Sequence, residues 1–301
     1  MKKIGIFLVA FFMAMEVPAM DQETKYHFGV HWSVNGFPSS LGVQDIMLNF
    51  TGSHSHLDTR LPITQYIKQG ENTVNLDSWP LEYQSEDELH VSLLYWLPGD
   101  NPNTEAQTAF EVVMRPGQEQ AVAEVVSRDP DAPLQPRKEG IRFHRYEEYD
   151  SLKVRFVNRQ PMPTWCWEEG DVLRDNEATR DSLTQAYRRI YKLFQAGDNN
   201  ALMDASATMI QELAKASGES EAYVRQRASF DMFFDKPDVF QLDSFPEDPM
   251  TLNLAADNRV AWLTREGVAV PIRFEHVGNE SHVSNVRLYF IRRNGQWEIC
   301  R

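Results

Sequence analysis

A chain of 301 residues with 44 acidic against 30 basic side chains carries a formal net charge of −14. Its Lys and Arg residues form no runs, which excludes a surface built to neutralise nucleic-acid phosphates or anionic lipid headgroups. Such a surface suits a basic protein partner, and it also keeps a chain in solution.

The chain opens "MKKIGIFLVAFFMAMEVPAMDQ". Lys2 and Lys3 make a positive n-region, Ile4 to Met15 an apolar h-region, and Val17 and Ala19 supply small residues before a cut. This pattern predicts a bacterial secretory leader, residues 1–19, cleaved after Ala19, and a mature chain in the periplasm or outside the cell. The apolar run is about a dozen residues, short of the ~20 that span a bilayer, so no stable membrane anchor is expected. Cys166 and Cys300 are the two cysteines. In an exported chain an even pair is read first as a disulfide, and no CxxC suggests redox catalysis. Closing so long a loop is worth roughly 5 kcal/mol by chain entropy, as an upper bound.

Residues 20–160 read as β. In "TKYHFGVHWSV" the residues Tyr26, Phe28, Val30, Trp32 and Val34 alternate with Lys25, His27, Gly29, His31 and Ser33, a period of two with one apolar face. The turn "NGFP" follows. Short β runs recur in "VQDIMLNF", "NTVNL", "ELHVSLLYWL", "TAFEVVM" and "AVAEVVS", then in "IRFHRY" and "LKVRFVNR". Many short strands between Gly, Pro, Asn and Asp predict an antiparallel β-sandwich. The stretch "LPITQYIKQGENTVNL" resembles one common in Ig-like and carbohydrate-module sandwiches, which implies fold rather than function. Pro-rich "RDPDAPLQPRKEG" reads as a long loop within the sandwich, and "RQPMPTWCWEEG" as the boundary between two domains.

From residue 161 to 301 the period changes. Leu183, Tyr187, Ile190 and Phe194 mark an amphipathic helix with Gly197 as its C-cap. A second helix starts at Asp198 or Asn199, carries Leu202, Ala205, Met209 and Leu213 on its apolar face, and ends at Gly218. A third covers "SEAYVRQRASFDMFF" and stops before Pro237. The strands "TLNL", "RVAWLTR", "VAVPIRFEH", "NVRLYFIRR" and "QWEIC" follow. Helices first and a curved antiparallel sheet after is an α+β arrangement. "YKLFQAGDNNALMDASATMI" resembles the helix–GD–helix opening of the NTF2-like superfamily, and "LYFIRRNGQWEICR" is similar to its last hairpin. The resemblance spans roughly residues 170 to 301 and implies a cone-shaped fold found in enzymes and in non-catalytic binding domains. It transfers no catalytic residue.

Candidate chemistry is sparse. His27 and His31 share the polar face of the first strand, and His54 and His56 form "SHSHLD" with Asp58, a donor set for a transition metal. No HExxH or second ligand set accompanies them, so neither a metal nor another cofactor is expected. GxSxG, SxxK and Gly-rich phosphate loops are missing. Cys166 with His276 or His282 could make a nucleophile and base, but a disulfide takes precedence. Carboxylate pairs occur at Glu147/Glu148, Glu168/Glu169 and Asp243/Glu247/Asp248, and a glycosidase would need two that converge. Tyr187, Trp262, Phe274, Tyr289 and Trp297 could line a pocket in the cone or fill it as core. Trp79, Tyr95 and Trp96 could stack on sugars or anchor an interface. The sum favours an exported, non-catalytic protein that recognises another protein, for instance an immunity-type inhibitor of a secreted toxin. The alternatives are an enzyme or small-ligand site in the cone, and a glycan-binding sandwich.

Overall fold

Phe28, Val30, Trp32 and Val34 are fully buried along the first strand, as their alternation requires. The computed structural model describes residues 25–51, 56–79, 88–115, 122–146, 149–265 and 269–301. The leader expected at residues 1–19, His54, and the Glu147/Glu148 pair lie outside the described residues. The strands run β1 (His27–Asn35), β2 (Ser39–Val43), β3 (Ile46–Thr51), β4 (Leu57–Pro62), β5 (Gly70–Ser78), β6 (Glu88–Trp96), β7 (Gln107–Arg115), β8 (Val122–Ser127), β9 (Leu134–Arg145) and β10 (Asp150–Asn158). They form two five-stranded antiparallel sheets, β4-β1-β6-β7-β8 and β3-β2-β5-β10-β9. The apolar faces of both sheets share one core, so this half is sandwich-like.

Two expectations about this half need correcting. "VQDIMLNF" is a hairpin rather than one strand. Gln44 and Asp45 take left-handed φ values of 56° and 63° and turn β2 into β3. Hairpin turns of this kind favour Asn and Gly, so Gln-Asp sent no local signal. "RDPDAPLQPRKEG" is not all loop, because β9 begins at Leu134. Pro136 is tolerated there because β9 lies at the edge of its sheet, where a missing N–H costs no ladder bond.

After Asn158 come α1 (Cys166–Glu169), α2 (Glu177–Ala196), α3 (Asn199–Ala205), α4 (Ala207–Ser217), α5 (Glu221–Arg227) and α6 (Asp231–Phe234). Asn176 caps α2 by accepting the Thr179 N–H, and Gly197 ends it at φ 66°. Asp198 caps α3 through the Ala201 N–H, and Gly218 ends α4 at φ 72°. The expected second helix is broken at Ser206, which is buried. The break shifts the phase of the stripe. Leu202, Met203, Ile210 and Ala214 face inward while Ala205 is exposed. The expected third helix is also divided. Ser229 Oγ accepts the Asp231 N–H and Asn199 Oδ1 accepts the Phe230 N–H, so these amides leave the helical pattern.

The last strands are β11 (Phe240–Leu242), β12 (Thr251–Ala255), β13 (Val260–Thr264), β14 (Arg273–His276), β15 (Asn279–Asn285), β16 (Phe290–Arg293) and β17 (Gln296–Ile299). Instead of one curved sheet they make two, β11-β14-β15 and β12-β13-β16-β17. The chain passes between them at residues 286–289, where Val286 N–H donates to Ile272. Asn294 and Gly295, both at positive φ, form the expected tight turn of the final hairpin. Helix α2 lays Leu183, Tyr187, Ile190 and Phe194 into a core with Leu252, Leu263, Phe274 and Phe290.

The sandwich core does not stop where the chain leaves β10. It continues through Met162, Trp165, Trp167, Trp262, Tyr289 and Ile291 as one apolar cluster. The segment expected as a boundary is therefore a packed joint between the β half and the helix-containing half.

Candidate functional site

"TWCWEEG" builds that joint. Trp165 is fully buried and donates its indole N–H to Ile67 at 2.7 Å, and Trp167 donates to Gln65 at 2.9 Å. Gln65 lies within a single 3-10 turn, Thr64–Tyr66, that belongs to the β half, and Ile67 directly follows it. Between the two rings Cys166 is bonded to Cys300, with their Cα atoms 6.0 Å apart. Glu168 closes the first turn of α1 by accepting the Trp165 N–H at 3.0 Å.

Arg301 completes the joint. Its side chain is 2 % exposed and donates to Glu212 of α4, to the Gln65 carbonyl and, at 2.7 Å, to the Cys300 carbonyl. It also lies 5.3 Å from the Tyr66 ring centre, within cation–π range. Glu212 accepts the Cys166 N–H as well. Burial pushes its carboxyl above the usual range against the pull of Arg301. Cys166, Cys300 and Glu212 stand close enough to share a metal ion. With both sulfurs in a disulfide, the thiolates a metal requires are gone.

Beside the joint, a cleft of about 590 Å³ lies between the edge of the β half and helices α4 and α5. His27, Gln65 and Trp96 line one wall, and Leu213, Ala216 and Val224 the other. Glu219 and Arg227 pair at 3.3 Å along its border. Leu97, next to Trp96, and Tyr223, next to Val224, are each 48 % exposed. His27 is not on a solvated polar face, as the alternation of β1 implies. It is 8 % exposed, and its Nδ1 lies 2.8 Å from the Ala216 carbonyl. A carbonyl only accepts, so Nδ1 carries the proton and Nε2 is left as an acceptor. Burial lowers the His27 pKa, more than the Ala216 contact raises it. The ring stacks near Trp96, with centroids 6.0 Å apart.

The other sequence candidates fall elsewhere. His31 pairs with Asp58 at 2.7 Å across β1 and β4, and so does not join His27. Asp243 is held well below the usual carboxylate range by Arg273 and Arg265, which outweigh its partial burial. Glu169 pairs with Arg293, and His276 lies 3.0 Å from Ser284.

The five aromatic residues of the expected pocket are divided between two clusters. Tyr187 and Phe274 sit inside the helix-side core, and Trp297 packs against it. The Tyr187 hydroxyl donates to the Leu288 carbonyl at 2.7 Å, and Phe274 stacks on Phe233 at 4.2 Å. Trp262 and Tyr289 form an edge-to-face pair within the joint cluster, where the Tyr289 hydroxyl donates to the Met47 carbonyl. Trp79 stacks on Tyr149, and the Tyr95 hydroxyl donates to Asp129 with Gln107 beside it, so neither accompanies Trp96 at the cleft. The cleft itself was hidden from the sequence. The nearest signals were the spacing of His27 and the "WCWEEG" aromatics.

In outline, fold and site define a mostly antiparallel β protein with a helical segment in its C-terminal half and a cleft where the halves meet. No family model, curated protein or solved structure matches this chain. Among the described residues, no helix is long and apolar enough to cross a membrane.

Proposed function

We propose that this chain is an exported, non-catalytic recognition protein, and that the cleft between Trp96 and Ala216 seats an apolar segment of a protein partner. The observation that carries the reading is the cleft itself. It has mostly apolar walls from both halves, it is flanked by the exposed Leu97 and Tyr223, and the indole hydrogen bonds of Trp165 and Trp167 hold its halves together. Aromatic anchors beside a preformed groove are the usual centre of a protein interface. His27 spends its N–H on a backbone carbonyl, which supports a positioning role over proton transfer. The tightly packed Tyr187 and Phe274 weigh against a ligand inside the helix-side core. The net charge of −14 favours a basic partner, as an immunity-type inhibitor of a secreted toxin would have. The finer readings, an Ig-like sandwich and an NTF2-like domain, belong to this proposal. The two packed sheets support the first, and the capped α2–α3 pair with the Asn294–Gly295 hairpin supports the second.

The test is capture of partners from periplasmic extract on the oxidised protein, washed at low and at high salt. Ser217→Trp, which fills the cleft from an exposed position, serves as the control. One partner retained by the native protein, weakened by salt and lost from Ser217→Trp, is the expected result. A partner held equally by both proteins refutes the cleft, and no partner at either salt refutes recognition.

A further inference from the structure

A second cleft, of about 430 Å³, opens where β3 meets the 286–289 crossing and the 3-10 turn. Asn49, Phe50, Tyr66, Asn285, Arg287 and Arg301 border it, with Tyr289. None of the described residues that line it is acidic, in a chain with 44 Asp and Glu. Arg301 is already neutralised by Glu212, although its Nε is buried with no partner among the described residues. Arg287 differs. It is half-buried, and the ion pairs of the neighbouring arginines among the described residues do not include it.

Its neighbours are phenols. Arg287 lies near Tyr289, Tyr66 and Tyr187. Burial pushes all three hydroxyls above their ordinary range, so each stays neutral and none serves as a counter-ion. A half-buried guanidinium facing a polar cleft with no acid in it is a receptor for an oxyanion, which it binds through paired N–H donors. Asn49 adds an amide whose Oδ1 already accepts the Phe50 N–H, leaving its Nδ2 to donate. The volume is in the range of small-molecule sites, well above what a bare inorganic ion fills.

We propose that this cleft binds a small organic oxyanion, a carboxylate or phosphate monoester with a ring or short apolar body, its charged group on Arg287 and its body against Phe50 and Tyr66. This site is separate from the Trp96 cleft and stands whether or not that cleft holds a protein.

Isothermal titration calorimetry on the oxidised protein tests it, with phenyl phosphate, benzoate and inorganic phosphate as probes. At least one ring-bearing anion binds with a Kd on the order of 1 mM or tighter, and inorganic phosphate binds more weakly than phenyl phosphate. Arg287→Gln weakens that binding about tenfold or more, and Arg287→Lys, which keeps the charge but not the fork, falls between. No binding of either ring-bearing anion, or equal affinity in Arg287→Gln, overturns the site. Inorganic phosphate binding as tightly as phenyl phosphate overturns the organic ligand. Should Arg287→Gln fail to fold by circular dichroism, Asn49→Asp takes its place. It puts a negative charge at the cleft and must weaken binding, and unchanged affinity refutes the proposal.

Discussion

The guanidinium of Arg301 donates to the carboxylate of Glu212, and Glu212 accepts the Cys166 N–H at the same time. One acid on α4 thus holds the start of α1 and the residue after the disulfide's second cysteine. Removing one member of a buried pair leaves the other charge without compensation, a loss of about 3–5 kcal/mol. Arg301→Met is expected to lose that much in urea unfolding. Adding Glu212→Gln to Arg301→Met restores part of the loss, because the stranded acid is gone. Strictly additive losses in the double-mutant cycle would show that the two residues act independently.

The Cys166–Cys300 bond spans a sequence separation of 134 residues and tightens a joint already held by two indole hydrogen bonds. Chain entropy sets its contribution at roughly 5 kcal/mol or less. The Cys166→Ser/Cys300→Ser protein should unfold at lower urea, and reductant should bring the native protein down to the same midpoint. A native protein whose midpoint ignores reductant would contradict this.

His27 predicts a pH dependence. Its pKa is lowered in the folded protein, so below about 6.5 the unfolded chain takes up a proton that native His27 resists. Its contribution to stability is therefore complete above the unfolded pKa and is lost as pH falls towards the folded one. Between pH 7 and about 5 the native protein should lose more stability than His27→Gln does. Equal losses would mean that burial beneath α4 does not favour neutral imidazole at His27.

Gly29 is where β1 lets Trp96 lie flat against the cleft wall. A Cβ at this position would stand 2.9 Å from Trp96 Cζ3 and 3.2 Å from the Leu61 carbonyl oxygen. Neither the ring nor the backbone yields cheaply, so Gly29→Ala should cost about 1–3 kcal/mol. It should also alter the near-ultraviolet circular dichroism as Trp96 moves. A variant matching the native protein in both stability and spectrum would show the ring to be loosely held.

The features legible in the sequence were those set by neighbouring residues. Phe28, Val30, Trp32 and Val34 named their own buried face, Gly197 and Gly218 named the ends of α2 and α4, and Asn294–Gly295 named the last turn. The cysteine pairing followed from there being only two. Periodicity, φ preference and parity are local or counting properties, so one chain displays them without its fold. The tertiary structure decided everything that depends on which distant surface comes to rest on a residue. His27 alternates as a polar residue and is buried only because α4 covers it. Ser229 sits in a helical pattern that breaks where distant Asn199 pairs with its hydroxyl and takes the Phe230 N–H. Arg301 carries no local signal of its role, and it becomes the bolt of the joint because Glu212, Gln65 and Tyr66 surround it. A buried charge is stable only beside its partners, and those partners are distant in sequence, so packing alone brings them together.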